Sequence, residues 1–161
     1  MNLPFIKNII EKLYLKMDGN RVYYDNMTGL RSREYYDEIA IQKYESIDVR
    51  IIYIDIDFLK KINDTKGHAE GTQHIKNIAN SLTNLSMIDN KIFDICRVGG
   101  DEFVMFTDIS FNPKSLDDIK ESISYGYVDK IAGEPVKEFV DCAEKYMYKH
   151  KNRKHKRKCN L

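Results

Sequence analysis

The chain has 161 residues, a length that suits one domain with a core of its own. Its formal charge is +1, so no global field points to a polyanionic partner; the basic character is local, running from Lys145 to Lys158. Three cysteines, Cys96, Cys142 and Cys159, are odd in number and widely spaced, which excludes a zinc pattern or an obvious disulfide framework and fits a reducing cytoplasm.

Met1 to Met17 carries Lys7, Glu11, Lys12 and Lys16 among its apolar residues, so neither a signal peptide nor a membrane span is expected there. Ile6, Ile9, Ile10, Leu13 and Met17 fall at helical spacing, so an amphipathic helix is expected over 1–20, opened near Pro4 and ended by Asp18-Gly19-Asn20. Its apolar stripe reads as core, or as a seam against another subunit. Asp25 to Leu30 reads as a turn, and Ser32 offers an N-cap to a helix running toward Tyr44.

Val49 to Ile54 is nearly all β-branched or aromatic and predicts a buried central strand ending in Asp55-Ile56-Asp57. A loop is expected at Asn63 to Gly67, then a helix with Ile75, Ile78, Ala79 and Leu82 on one face. Ile92 to Val98 and Phe103 to Phe106 read as a hairpin joined through Gly99-Gly100-Asp101-Glu102, the glycines offering positive φ at its tip. Ser122 to Val128 is another strand. Pro135 opens a last helix whose inner face is expected to carry Phe139, Cys142, Ala143 and Tyr146. The order predicts an α+β fold of ferredoxin-like or palm type, a mostly antiparallel sheet flanked by helices. One domain is expected over 21–152, followed by a solvated basic tail over 153–161.

Two acidic clusters, Asp55-Ile56-Asp57 and Asp101-Glu102, would converge if the hairpin lies beside the buried strand. Alone, each reads as acidic residues flanking a turn or strand end. Together they suit a hard cation such as Mg²⁺, which takes oxygen ligands and shares its shell with phosphates. Asn63 reads equally as a turn former, His68 as a helix cap or surface residue, and Lys60 and Lys151 as solvated lysines.

Gly99-Gly100-Asp101-Glu102-Phe103, preceded by Arg97, resembles the signature of the GGDEF family of diguanylate cyclases. Asp55-Ile56-Asp57 with Lys60, Asn63-Asp64 and Gly67-His68 resembles the family's second motif in the same register. Asp25 to Arg33 resembles the motif that opens the domain, and Ser124-Tyr125-Gly126 and Ala143 to Lys151 resemble later ones. The resemblance covers Asp25 to Lys151 and implies a cytoplasmic enzyme that joins two GTP into c-di-GMP as a homodimer. It implies two Mg²⁺ or Mn²⁺ ions per site, held by Asp55, the Ile56 carbonyl and Asp101. Asp101 would accept the proton of the attacking 3′-hydroxyl, with Glu102 assisting. The amides of Phe58 and Leu59, with Lys60 and Lys151, would hold phosphates; Asn63 would read the base, and His68 lies on the same side. Gly99 and Gly100 would let substrate approach the backbone.

Four departures qualify this expectation. Thr72 stands where the family usually reads guanine with an aspartate, and a hydroxyl both donates and accepts, so ATP becomes an alternative substrate and a mixed GMP–AMP product an alternative outcome. The stretch between Phe106 and Ser122 is short, with helical residues only from Ser115 to Lys120, which resembles minimal palm-type synthases of antiviral signalling. Asn90 and Phe93 occupy the positions of an inhibitory Arg-x-x-Asp pair, and Asp94 is one residue out of place and lacks that arginine. His155 replaces a phosphate-contacting arginine, for which Arg153 or Lys156 could substitute. A non-catalytic nucleotide-binding module is the competing reading, set against the intact Asp55, Asp101 and Glu102. Nucleic-acid binding by the basic run is not expected, because Tyr146 and Tyr148 are its only aromatics.

Overall fold

The β-branched run becomes β1, Val49–Ile56, with all but one of its residues buried. Ile51, Ile52, Ile54 and Ile56 are at most 1% exposed, and burying each contributes about 1.5–3 kcal/mol. The structure, a computed structural model, describes residues 23–120 and 122–159, without the side chains of 155 and 157–159. The helix expected over 1–20 lies outside the described residues.

Helix α1 follows the Ser32 N-cap as three consecutive segments, α-helical Arg33–Tyr35, π-helical Tyr36–Ala40 and α-helical Ile41–Lys43. The Ser32 hydroxyl accepts from the Tyr35 amide at 3.2 Å, as the sequence predicts. After β1 come α2, Leu59–Lys66, and α3, His68–Ile88. The hairpin is β2, Ile92–Arg97, and β3, Glu102–Thr107. A 3₁₀ helix, Pro113–Ile119, capped by Asn112, leads to β4, Ile123–Lys130, and α4 is Val136–Cys159.

The four strands form an antiparallel sheet in the order β2-β3-β1-β4. One face packs Ile51, Tyr53, Val104 and Phe106 against α1 and α4; the other packs Ile52, Ile54, Phe103 and Met105 against α3 and the 3₁₀ helix. This is the α+β palm-type fold that the sequence predicts.

Several local expectations are corrected. Residues 63–66, expected as loop, close helix α2; α2 has no fully buried residue, so it carries no apolar stripe to announce it. The inner face of α4 is Val136, Val140, Ala143 and Met147, with Phe139 partly buried, while Cys142 and Tyr146 face outward. Gly126 explains the choice: a Cβ there would lie 2.2 Å from the Met147 amide nitrogen and 2.4 Å from the Ala143 carbonyl, so α4 rests directly on β4. Neither Gly99 nor Gly100 has positive φ; among the described residues the glycines that do are Gly29, Gly67 and Gly133. The basic run is helical over its described part, since α4 continues unbroken through 153 to Cys159.

Candidate active site

The two acidic clusters meet because β3 lies beside β1. Asp55 is paired in register with Glu102, and the Ile56 amide donates to the Asp101 carbonyl at 2.9 Å. Burial, and then the nearby Glu102 charge, push the Tyr53 hydroxyl well above its ordinary range. Glu102 itself folds over Gly99, where a Cβ would come within 2.2 Å of Oε2. Gly99 is therefore small to make room for Glu102, while Gly100 faces open space.

The side chain of Asp55 points toward α4, where Lys151 Nζ lies 2.5 Å from Oδ1. Burial pushes the Asp55 carboxyl above its ordinary range; Lys151 pulls it back, and the charges of Asp101 and Glu102 raise it again. Desolvation lowers the Lys151 ammonium, but the hydrogen bond to Asp55 and the charges of Asp55, Asp57 and Asp101 outweigh that and raise it. One helical turn on, Lys154 Nζ lies 2.6 Å from Asp57 Oδ2, contacts the Lys120 carbonyl, and donates to the Ile123 carbonyl at 3.0 Å. Ser124 Oγ donates to Asp57 Oδ1 at 2.8 Å. Lys154 is a residue that sequence reasoning missed, although its three-residue spacing from Lys151 puts both on one side of the helix.

Beyond β1 the chain turns at Phe58, a non-glycine residue with φ 59°. The left-handed turn starts α2 without a capping side chain, so the positive end of that helix lies at the end of β1. A cleft of about 600 Å³ opens here, and Ile56, Phe58, Leu59, Lys60, Asp101 and Lys151 line it. Six of the residues named from sequence are thus brought together.

The others lie apart from that lining. Asn63 sits on the helical side of α2 facing Gly71, where a Cβ would stand 1.8 Å from Oδ1. Thr72 follows Gly71 on α3 and is half-buried. His68, the first residue of α3, is exposed. Arg153, considered a substitute for the missing arginine, turns instead to the open edge of β4.

The opening motif is tied to the hairpin. Arg97 donates to both Asp25 oxygens at 3.1 and 3.2 Å and to the Gly100 carbonyl at 2.7 Å. Asp94, expected to lack an arginine, has Arg31 at 3.3 Å, Lys43 at 2.8 Å and the hydroxyls of Tyr35 and Tyr44 at 2.9 and 2.5 Å. Burial and the Asp94 charge push both tyrosines well above their ordinary range. Asp94 is thus a buried hub of the fold, occupied by its own chain.

The donor set at the head of the cleft, carboxylates of Asp55 and Asp101 with a main-chain carbonyl, is all oxygen and suits Mg²⁺ or Mn²⁺. Mutually repelling carboxylates in a partly desolvated position are what a hard cation relieves. Among the described residues, no three His, Cys, Asp or Glu side chains are already drawn together as a metal cluster. No helix among them is long and apolar enough to cross a membrane.

Comparison with known proteins agrees with this geometry. The family model described as "Diguanylate cyclase, GGDEF domain" matches residues 22–118. The chain is 34% identical over 99 residues to the probable diguanylate cyclase DgcT of Escherichia coli, covering 59% of this chain and 21% of that protein. It is 30% identical over 92 residues to the cyclic di-GMP phosphodiesterase NbdA of Pseudomonas aeruginosa, covering 54% of this chain and 11% of that one. The chain therefore matches only a tenth to a fifth of the length of these relatives. The GGDEF domain of DgcB from Caulobacter crescentus, solved in complex with c-di-GMP, superposes with a TM-score of 0.71 at 22% identity over 83% of this chain and 92% of that one. A palm-type sheet, a glycine hairpin set against the β1 carboxylates and a family match over more than half the sequence lead to one conclusion: the chain belongs to the GGDEF domain family.

Proposed function

We propose that this chain is a cyclic dinucleotide synthase that condenses two GTP into c-di-GMP and releases two pyrophosphates. The observation that carries the reading is the cleft that Asp101, Lys60, Lys151 and the N-terminus of α2 line beside Asp55. In this reading Lys60, Lys151 and the amides of Phe58 and Leu59 hold the triphosphate. Asn63 and Thr72 face the base, with His68 on the same side. Asp101 takes the proton of the 3′-hydroxyl as its oxygen bonds to the partner's α-phosphorus, and the bond from that phosphorus to pyrophosphate breaks. Glu102, packed over Gly99, supports the charge of the site. Mg²⁺ or Mn²⁺, two per site, would be held by Asp55, the Ile56 carbonyl and Asp101, and would neutralise charge on the attacking and leaving oxygens. Each site carries one nucleotide, so two copies of the chain must meet, at least transiently.

A second reading rests on Thr72. A hydroxyl at this position lacks the charge that would fix guanine, and a synthase accepting ATP would make a GMP–AMP hybrid. The test is incubation with Mg²⁺ and GTP or ATP, singly and mixed, with products identified by mass. Asp55→Ala and Asp101→Ala, checked for fold by circular dichroism, should each lose roughly a thousandfold in rate or more. Turnover near the natural protein's in either variant, or no product under any condition, overturns catalysis and leaves a nucleotide-binding module.

A further inference from the structure

The two lysines that α4 sends to the end of β1 are held differently. An ammonium group has three protons to donate. Lys154 Nζ places all of them, on Asp57 Oδ2 at 2.6 Å, on the Ile123 carbonyl at 3.0 Å and on the Lys120 carbonyl. Lys151 Nζ has one acceptor among the described residues, Asp55 Oδ1 at 2.5 Å, and its side chain is 23% exposed. It also lines the cleft beside Lys60 and Asp101. Lys154 is therefore an anchor, whereas Lys151 is a cation with protons to spare at the wall of the cleft.

Asp55 is the carboxylate that the proposed function gives to a divalent cation, and Lys151 is already seated on it. The Asp55 side chain is 7% exposed, so its charge needs a counter-charge within reach. Burial works against its ionised form, Lys151 favours that form, and the charges of Asp101 and Glu102 work against it again. A divalent cation would meet the same need with twice the charge. To coordinate Asp55 it must approach the ammonium of Lys151, and like charges a few ångströms apart in a partly desolvated position repel strongly. Lys60 lines the same cleft and is exposed, but it is not the partner of Asp55.

We propose that Lys151 is a placeholder cation: it competes with a divalent cation for Asp55 and keeps the cleft's own affinity for that ion low. This rests on the metal half of the proposed function and adds an order of events to it. A triphosphate offers the Lys151 ammonium other oxygens. The lysine can exchange to them without undocking α4, because Lys154 and the close contact at Gly126 hold the helix on β1 and β4. Asp55 is then released to the ion that arrives with the nucleotide, and free metal does not preload the site.

The experiment uses the full chain without nucleotide, with Mn²⁺ as the probe and free Mn²⁺ followed by electron paramagnetic resonance. It compares the natural protein with Lys151→Gln, Lys151→Met, Lys151→Arg, Lys60→Gln and the double variant Lys151→Gln/Asp55→Asn, each checked for fold by circular dichroism. Lys151→Gln and Lys151→Met should bind Mn²⁺ roughly tenfold tighter or more, because the competing charge is gone. Lys151→Arg, which keeps the charge, and Lys60→Gln should stay within about threefold of the natural protein. The gain should vanish in the double variant. Melting temperature is a second readout: Lys151→Gln should melt below the natural protein without Mn²⁺ and be raised more by saturating Mn²⁺. Equal Mn²⁺ affinity in the natural protein and both neutral variants, a gain shared by Lys60→Gln, a gain that persists without the Asp55 charge, or no Mn²⁺ uptake in any variant overturns the proposal. Product from GTP is scored separately. A Lys151-dependent Mn²⁺ site in a chain that makes no product supports the placeholder and sinks the cyclase, while product from a chain whose Mn²⁺ affinity ignores Lys151 does the reverse.

Discussion

Lys154 Nζ and Asp57 Oδ2 form an ion pair 2.6 Å apart with side chains 12% and 0% exposed, and this pair pins the distal half of α4 to the end of β1. A buried pair stabilises little compared with apolar residues, but removing one member leaves the other charge desolvated. Lys154→Met should therefore destabilise the protein by about 3–5 kcal/mol in urea unfolding. Adding Asp57→Asn to that variant should recover part of the loss. A single variant as stable as the natural protein would show that the pair is solvated in solution.

Asp25 links the opening motif to the glycine hairpin. Burial raises its carboxyl, but the Thr28 hydroxyl and Arg97, with the Thr28 amide, outweigh that and hold it below the ordinary carboxylate range. A depressed folded-state pKa means stability that is complete above the unfolded value and lost as pH falls through the folded one. Asp25→Asn should lose about 1.5–3 kcal/mol at neutral pH and show little difference from the natural protein at pH near 2. Unfolding at the two pH values checks this; an equal loss at both would assign the effect to packing.

Gly71 leaves room for Asn63, whose Oδ1 would stand 1.8 Å from a Cβ at that position. The atom displaced in Gly71→Ala is the free end of a side chain, so the fold should survive while Asn63 moves. The expected outcome is a KM for GTP raised roughly tenfold, the loss of about one hydrogen bond, with melting temperature almost unchanged. An unchanged KM would remove Asn63 from the base site.

Thr72→Asp should restore a charge-assisted bond to guanine, contributing about 1.5–3 kcal/mol, or about ten- to a hundredfold in preference for GTP over ATP. Competition between equal GTP and ATP measures it. If the natural protein already excludes ATP as strictly as the variant, Thr72 plays no part in base choice.

What the sequence revealed and what it concealed have physical causes. β1 was legible because a run of β-branched residues has few alternatives to a buried strand, and the hairpin because glycines interrupt two such runs. Helix α2 was hidden, since Asn63, Asp64 and Thr65 favour turns locally and the helix buries no side chain completely. The phase of α4 was ambiguous because Phe139, Cys142 and Tyr146 form an apolar stripe adjacent to the one used. The tie was broken by a glycine on a different element, Gly126. At the site, the acidic residues announced themselves through spacing, whereas Lys154 and Tyr53 acquire meaning only when α4 and β3 are laid against β1.

The closure of the site by α4 has a consequence for synthesis. Lys151 and Lys154 follow their carboxylates by 96 and 97 residues, so the ribosome makes β1, the hairpin and β4 well before it makes their counter-charges. Until α4 emerges and docks, the nascent sheet carries Asp55 without its Lys151 partner and one apolar face bare along Ile51 and Tyr53. Contacts of such long sequence separation form late and slowly. Most of the cleft lining therefore exists before α4 is made, and Lys151 completes the candidate site when that helix docks.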